Sequence, residues 1–159
     1  IEPDIITLAK GLGNGLPIGA MLGTKELAPH FGPGSHGSTF GGNPISVASA
    51  IAVMQEMSKP GFLEEVKEKG TEVQQRLKEG LKSTAGVKEV RGLGLMIGIE
   101  LTSDAAPVIK RLQENQLLVL NAGPKVIRLM PPLSVTGDEV DHALEKLVGA
   151  LSEAGITAG

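Results

Sequence analysis

Residues 5–20 read IITLAKGLGNGLPIGA. The first four are apolar or β-branched, which is typical of a short buried strand, and residues 18–23 have the same character. Between the two runs, a glycine-rich segment that ends at Pro17 interrupts any strand or helix periodicity and predicts a tight turn. We therefore predict a strand–turn–strand unit, with Lys10 at its first corner.

Lys10 is a candidate for covalent catalysis. A lysine that forms an imine needs an amine that can lose its proton, and the apolar strand before Lys10 can supply the desolvation that favours this loss. Residues 37–44, GSTFGGNP, form a second glycine-rich turn, where the hydroxyls of Ser38 and Thr39 lie among backbone N–H groups suited to a phosphate. Together these features indicate pyridoxal phosphate. The alternatives are a solvated surface lysine and hydroxyls that bond to their own backbone.

Arg128 is a candidate for substrate binding. It lies inside the apolar run 126–130, and its neighbours Ile127 and Leu129 predict that it points away from their face of a strand. A guanidinium there can bind a substrate carboxylate through two parallel hydrogen bonds. A structural ion pair is the alternative. Arg91, before Gly92, is a similar but weaker candidate.

The composition excludes several classes of function. The 159 residues carry a net charge of −3 and no basic stripe, which argues against nucleic-acid binding. No apolar run approaches the ~20 residues that span a bilayer, so we expect no membrane segment. Cysteine is absent and the histidines are scattered, so we expect neither a disulfide nor a metal site, and we expect a cytoplasmic location.

The chain is predicted to change character near residue 58. Asn43 and Pro44 are suited to begin a helix, which we expect to be buried because its residues are apolar on most sides. Lys59-Pro60-Gly61 then interrupts the pattern. The predicted elements that follow are helices over 62–82 and 107–115, strands over 87–90, 93–101, 117–120 and 126–130, and a last helix that begins with a Thr136–Glu139 capping box. This order predicts an antiparallel α+β domain with its helices on one side.

Four segments, taken together, resemble the class III pyridoxal-phosphate-dependent aminotransferases. They are residues 6–20, 34–44, 91–98 and 126–133, in the order and spacing of that family. The resemblance implies an α/β fold of fold-type I, with residues 1–58 as the end of the large cofactor-binding domain and residues 59–159 as the small C-terminal α+β domain. The family's ring-binding aspartate, stacking aromatic residue and main phosphate loop precede its lysine, so we expect this chain to be the C-terminal portion of a longer protein.

The resemblance also implies roles for the candidate residues. Lys10 would bind the cofactor covalently and act as general base and acid, while Ser38 and Thr39 would contact its phosphate. Thr39 would reach the cofactor of the other subunit in a homodimer, and Arg128 would hold the substrate carboxylate. The implied reaction moves an amino group from N-acetylornithine, or a similar ω-amino donor, to 2-oxoglutarate, as in arginine biosynthesis.

Other functions stay open at this stage. Ornithine or 4-aminobutyrate could be the amino donor, because enzymes that use them share the same motifs. A racemase or aminomutase could use the same lysine. A non-catalytic subdomain is a further alternative, because the residues that the family places before its lysine do not lie in this sequence.

Overall fold

The computed structural model describes residues 1–153. The chain divides into two compact units, Ile1–Phe62 and Leu63–Gly159. Each unit is described by itself below.

The first unit contains the predicted strand–turn–strand element. Strand β1, Ile5–Leu8, pairs antiparallel with β2, Ala20–Gly23, in a register that places Ile5 opposite Gly23. A 3₁₀ turn, Lys10–Gly13, follows β1, so the predicted turn contains a defined helical segment. A second 3₁₀ helix, Lys25–His30, occupies part of the region that the sequence left irregular.

Helix α1, Pro44–Met57, begins where the sequence predicted. The side chain of Asn43 accepts a hydrogen bond from the backbone N–H of Ser46 at 3.0 Å, which satisfies one of the free donors of the first turn. The expectation that α1 and β1 are buried is wrong. Ile45 is 73% exposed, and every residue of β1 is exposed. A two-stranded sheet and one helix present too little surface to enclose both faces of either element.

The second unit is an antiparallel α+β domain, as predicted. Its sheet has four strands in the order β3-β4-β6-β5, and all neighbouring pairs are antiparallel. The strands are β3, Val87–Leu93, β4, Met96–Leu101, β5, Leu120–Asn121, and β6, Val126–Leu129. The helices are α2, Phe62–Gly80, α3, Ala106–Glu114, and α4, Gly137–Glu153.

Two predicted strand boundaries differ from the structure. The strand predicted over 93–101 is divided: Leu93 ends β3, and β4 begins at Met96. Gly94, with φ of 52°, adopts a left-handed conformation that reverses the chain between them. The strand predicted over 117–120 is limited to Leu120–Asn121.

One face of the sheet packs against the three helices. Ile97, Ile99 and Leu101 alternate along β4, and all three are buried in one core with Ile127 of β6. The helices contribute aliphatic residues at helical spacing, among them Val73 and Leu77 of α2, Val108 and Leu112 of α3, and Leu144, Leu147 and Leu151 of α4. The period of two along β4 therefore leaves the side chains at the intervening positions on the opposite face of the sheet.

Helix α2 approaches the hairpin turn closely at Gly70. A β-carbon added to Gly70 would overlap the backbone of Gly94, so the contact requires glycine at this position. Gly149 in α4 is the opposite case, because a β-carbon there would meet open space.

The first prediction compares these two helical glycines. Gly70→Ala should lower the free energy of unfolding by about 1–3 kcal/mol, because the overlap outweighs the gain in helix propensity. Gly149→Ala should raise it by roughly 0.5–1 kcal/mol. Denaturant unfolding of both variants measures the difference. Equal changes in the two variants would show that helix propensity, and not the contact with the hairpin, decides the result.

Helix α4 begins with the predicted capping box. A carboxylate oxygen of Glu139 accepts hydrogen bonds from the backbone N–H of Thr136 at 2.8 Å and from its hydroxyl at 2.9 Å, while the Glu139 N–H donates to Thr136 Oγ1 at 3.3 Å. These bonds favour the ionised carboxylate, and the backbone bond in particular holds the pKa of Glu139 below its ordinary value.

The second prediction follows from the direction of this pKa shift. Because the folded-state pKa is lower than the unfolded one, the carboxylate stabilises the fold above the ordinary carboxyl range, and this stabilisation is lost as the pH falls through the folded-state value. Glu139→Gln should remove that part of the acid-induced loss of stability, which thermal unfolding at a series of pH values measures. Asp138→Asn is the control, because among residues 1–153 the Asp138 side chain makes no hydrogen bond or ion pair. If the two variants respond alike to acid, the capping carboxylate is not the source.

Candidate active site

Lys10 adopts a strained backbone conformation at the corner after β1. Its φ is 52°, in the left-handed region, while Ala9 before it is extended with φ of −161°. A residue with a β-carbon costs about 1–2 kcal/mol in this region. Such outliers concentrate at functional positions, where the surrounding structure holds them in place.

The turn that carries Lys10 is anchored to helix α1. The Ser49 hydroxyl donates a hydrogen bond to the carbonyl of Gly13 at 2.8 Å, and a β-carbon on Gly13 would lie 2.8 Å from Ile18 Cγ2. Sequence reasoning missed Ser49. The signal was a serine within the apolar run 47–54, a residue that needs a hydrogen-bond partner when it packs against other backbone.

Lys10 lines an open pocket of about 430 Å³ formed by its own turn. The other lining residues are Gly11, Asn14, Gly15, Leu16, Pro17 and Ile18. The amine makes no hydrogen bond or ion pair with any residue in 1–153 and is exposed. The desolvation expected from β1 is therefore not seen in this part of the chain, because β1 is itself exposed.

Ser38 and Thr39 lie in the second glycine-rich turn of the same unit. The turn is closed by backbone hydrogen bonds from Gly41 to Ser38 and from Asn43 to Phe40, both at 3.3 Å. Both hydroxyls are exposed, and neither bonds to any other described residue. The alternative in which these hydroxyls satisfy local backbone groups is thus not observed, and both remain available to an external acceptor or donor.

Arg128 lies on β6 in the second unit, opposite Gly98 of β4 and Leu120 of β5. Its Nε is buried and has no hydrogen-bond partner in the described chain, and the guanidinium forms no ion pair there. The structural ion pair considered from the sequence is therefore not formed within residues 1–153. An unsatisfied buried donor costs about 1–3 kcal/mol, and a guanidinium without a protein acceptor suits an external carboxylate.

Arg91, the weaker candidate, has partners. Its Nη1 contacts Glu100 at 2.6 Å and Glu89 at 2.8 Å, and Glu100 also contacts Lys88 at 2.6 Å. The hydrogen bonds from Lys88 and Arg91 lower the pKa of Glu100, and the bond to Glu100 raises the pKa of Arg91. The group is an ion-pair network on the exposed side of β3 and β4.

The structure brings the candidates together only in part. Lys10, Ser38 and Thr39 lie in the first unit, and no hydrogen bond joins the amine to either hydroxyl in the described residues. Arg128 lies in the second unit with Arg91, and the two line the same groove of about 300 Å³.

A separate cavity of about 230 Å³ in the second unit does not suit a charged substrate. Aliphatic side chains such as Val73, Leu117 and Leu144 form most of its wall, and Glu139 is the ionisable residue among those that line it. The Glu139 carboxylate is already bonded to Thr136 in the capping box.

Over residues 1–153, no group of three or more acidic, histidine or cysteine side chains could hold a metal ion. The helices of that range are too short or too polar to cross a membrane.

Known proteins with similar sequences are acetylornithine aminotransferases. The chain is 55% identical to the acetylornithine aminotransferase of Bacillus cereus over 144 residues, which cover 91% of this chain and 37% of that protein. It is 51% identical to the acetylornithine aminotransferase of Bacillus subtilis over 152 residues, or 96% of this chain and 39% of that protein. The chain thus spans about two fifths of the length of these relatives.

Solved structures give the same fold. Plasmodium falciparum ornithine δ-aminotransferase matches 95% of this chain with 40% of its own, at a TM-score of 0.86 and 33% identity. Acetylornithine aminotransferase from Elizabethkingia anophelis matches 96% of this chain with 42% of its own, at a TM-score of 0.86 and 30% identity. The expected fold, a portion of a fold-type I aminotransferase, is therefore confirmed.

The sequence pattern of the class III aminotransferases, a family of pyridoxal-phosphate enzymes, matches residues 1–151 of this chain. This range includes all four candidate residues. With the similarity to acetylornithine aminotransferases and the shared fold, this match shows that the chain belongs to the class III aminotransferase family.

Proposed function

We propose that this chain is the C-terminal portion of an acetylornithine aminotransferase, which transfers the terminal amino group of N-acetylornithine to 2-oxoglutarate in arginine biosynthesis. Residues 1–58 would be the end of the large domain and residues 59–159 the small domain. The observation that carries the proposal is Lys10, a lysine held in a strained conformation at a strand end with a free amine. Amino-acid identity to enzymes of that name, 51–55%, supports the choice of donor.

The residues present fit pyridoxal phosphate. The Lys10 amine and the Ser38 and Thr39 hydroxyls have no partners among the described residues, so they are available to an aldehyde and a phosphate respectively. When bound, the cofactor supplies an electron sink and carries the amino group between the two substrates. Lys10 would hold it covalently through Nζ, and Ser38 and Thr39 would bind its phosphate, Thr39 across the interface of a homodimer.

Lys10 would also move the proton. As a free amine, Nζ would act as a general base and take the proton from the carbon that bears the amino group. The same nitrogen would then act as a general acid and donate the proton within the same half of the reaction, so that Lys10 undergoes no net change in protonation. Arg128 would orient the substrate by holding its carboxylate through charge-assisted hydrogen bonds.

We propose that the enzyme acts in the cytoplasm.

A second candidate donor is ornithine. The close fold match to Plasmodium falciparum ornithine δ-aminotransferase supports it, although the identity to that protein is 33%. Rates with N-acetylornithine, ornithine and 4-aminobutyrate, measured with 2-oxoglutarate as acceptor, separate the donors. Amino transfer to 2-oxoglutarate also separates an aminotransferase from a racemase or aminomutase, and its absence in the full-length protein would favour the non-catalytic alternative.

The third prediction concerns Lys10. In the full-length protein, Lys10→Ala should lower the rate of amino transfer by roughly 10²–10⁴-fold or more, because both the covalent anchor and the proton-transfer group are lost. Lys25→Ala is the matched control, since Lys25 also begins a 3₁₀ helix of the same unit. Borohydride reduction followed by peptide mapping gives a second readout, with the cofactor expected on Lys10. A Lys10→Ala enzyme with a near-normal rate would refute the assignment.

The fourth prediction concerns Arg128. Arg128→Gln should raise the KM for 2-oxoglutarate by about 10-fold or more, because a bond between two charged groups is worth about 1.5–3 kcal/mol. Arg111→Gln, which removes an exposed arginine paired with Glu153, should leave KM unchanged. Steady-state kinetics of the two variants measures both effects. An Arg128→Gln enzyme with the KM of the parent would contradict the role in carboxylate binding.

A further inference from the structure

Arg91, Gly98 and Arg128 form one row across three adjacent strands. Arg91 of β3 is directly opposite Gly98 of β4, and Gly98 is directly opposite Arg128 of β6. Residues that are opposite each other in an antiparallel sheet share a face. The two arginines therefore flank a glycine on the face of the sheet that the helices do not cover, and all three residues line the groove of about 300 Å³.

The glycine keeps the space between the arginines open. A β-carbon on Gly98 would point to the same face and would lie 3.3 Å from Val126 Cγ1. With strands about 4.8 Å apart, the Cα atoms of Arg91 and Arg128 are separated by about 10 Å, so each side chain needs to extend only about 5 Å to meet over Gly98. Two arginine side chains that begin at this spacing on one face are long enough to bind the same carboxylate.

Both arginines have free donors. Arg91 uses only Nη1 for its two bonds to Glu89 and Glu100, so in the described chain its Nε and Nη2 have no acceptor. These two nitrogens form the side of the guanidinium that binds a carboxylate with two parallel hydrogen bonds. The Arg128 side chain has no acceptor among residues 1–153 for any of its donors.

The charges of this face match one carboxylate. Glu89 and Glu100 offset the charges of Arg91 and Lys88, with which they form ion pairs of 2.6–2.8 Å. Arg128 is then the cation of this row that forms no ion pair with an acidic residue of the described chain. A ligand with a single negative group at this point would neutralise Arg128 and take hydrogen bonds from Arg91.

We propose that Arg91 and Arg128 form a carboxylate clamp across Gly98, in which Arg128 supplies the charge and Arg91 supplies hydrogen bonds that fix the orientation of the carboxylate. Arg91 is thus a second substrate-binding residue of the aminotransferase. This inference rests on the proposed role of Arg128 in binding the substrate carboxylate. The ion pairs of Arg91 hold its Nη1 and so leave Nε and Nη2 for the carboxylate.

The test uses glutarate, a dicarboxylate with neither a keto nor an amino group, and the full-length protein loaded with pyridoxal phosphate. Isothermal titration calorimetry measures the Kd of glutarate for the parent, Arg91→Gln, Arg91→Lys, Arg128→Gln and Lys88→Gln. Arg91→Gln should weaken binding about 10-fold or more, through loss of charge-assisted hydrogen bonds. Arg91→Lys keeps the charge but not the planar pair of donors. It should weaken glutarate binding several-fold, which is roughly half of the loss in binding free energy expected for Arg91→Gln.

Lys88→Gln is the matched control, because Lys88 is bonded to the same Glu100 but does not line the groove. It should leave the Kd within about twofold of the parent, as exposed ion pairs contribute little to stability. Equal weakening in Lys88→Gln and Arg91→Gln would trace the effect to the ion-pair network and overturn the clamp. Unchanged binding by Arg91→Gln or by Arg91→Lys, or no binding of glutarate by the parent, would also overturn it.

Kinetics separates the clamp from the proposed function. Arg91→Gln should raise the KM for 2-oxoglutarate with kcat within about twofold, a pattern that a loss of folded protein would not give. If Arg91 controls glutarate binding but the protein does not transfer amino groups, the proposed function fails and the clamp stands. If transfer is normal and Arg91→Gln changes neither Kd nor KM, the clamp fails and the proposed function stands.

Discussion

The burial of a single face of the four-stranded sheet is the constraint on which the second unit depends. Ile97, Ile99 and Leu101 enter one core with the three helices, and at a period of two they leave Gly98 and Glu100 on the opposite face. A slip of one residue in the register would turn the aliphatic residues outward and the charged ones into the core. The same pairing that builds the core therefore also aligns Arg91 and Arg128.

Lys10 shows the converse arrangement, in which a residue is positioned at some expense of stability. Its left-handed conformation is unfavourable for a residue with a β-carbon, and nothing in the chemistry of a surface lysine requires it. The turn is fixed by the hydrogen bond from the Ser49 hydroxyl of α1 to the Gly13 carbonyl, and Gly13 packs where a β-carbon would overlap Ile18. A strained backbone conformation that the surrounding structure maintains is typical of residues whose side chains must be oriented for a reaction.

The sequence predicted what depends on local pattern. The capping box at Thr136, the start of α1 at Pro44 and the alternation in β4 all follow from neighbours within a few residues, and all are observed. The burial of β1 and α1 could not be predicted in this way, because burial depends on which surfaces meet. The division of residues 93–101 depends on Gly94, whose left-handed conformation is one of several that glycine adopts freely.

The sequence predicted which residues belong to the candidate site, but not how they are arranged in space. Lys10, Ser38, Thr39 and Arg128 were identified from motifs and resemblance, and their roles stay predictions until the variants are measured. The pairing of Arg91 with Arg128 was not foreseen. These residues are far apart in the sequence, and only the strand order β3-β4-β6 places Gly98 between them. Sheet order is set by long-range contacts, which a single sequence does not show.

The two units differ in how they are stabilised, and this decides how the site should be studied. The core cluster of buried aliphatic residues lies entirely between Val73 and Leu151, in the second unit. In the first unit Ala50 is the buried hydrophobic residue of the described chain, whereas Met21, Phe40 and Ile45 are exposed. A unit with so little internal core gains little from hydrophobic burial to offset the entropy of ordering its turns. Few contacts within the unit therefore hold the conformation of Lys10, chiefly the bond from Ser49 to Gly13, and its chemistry is best measured in the full-length protein.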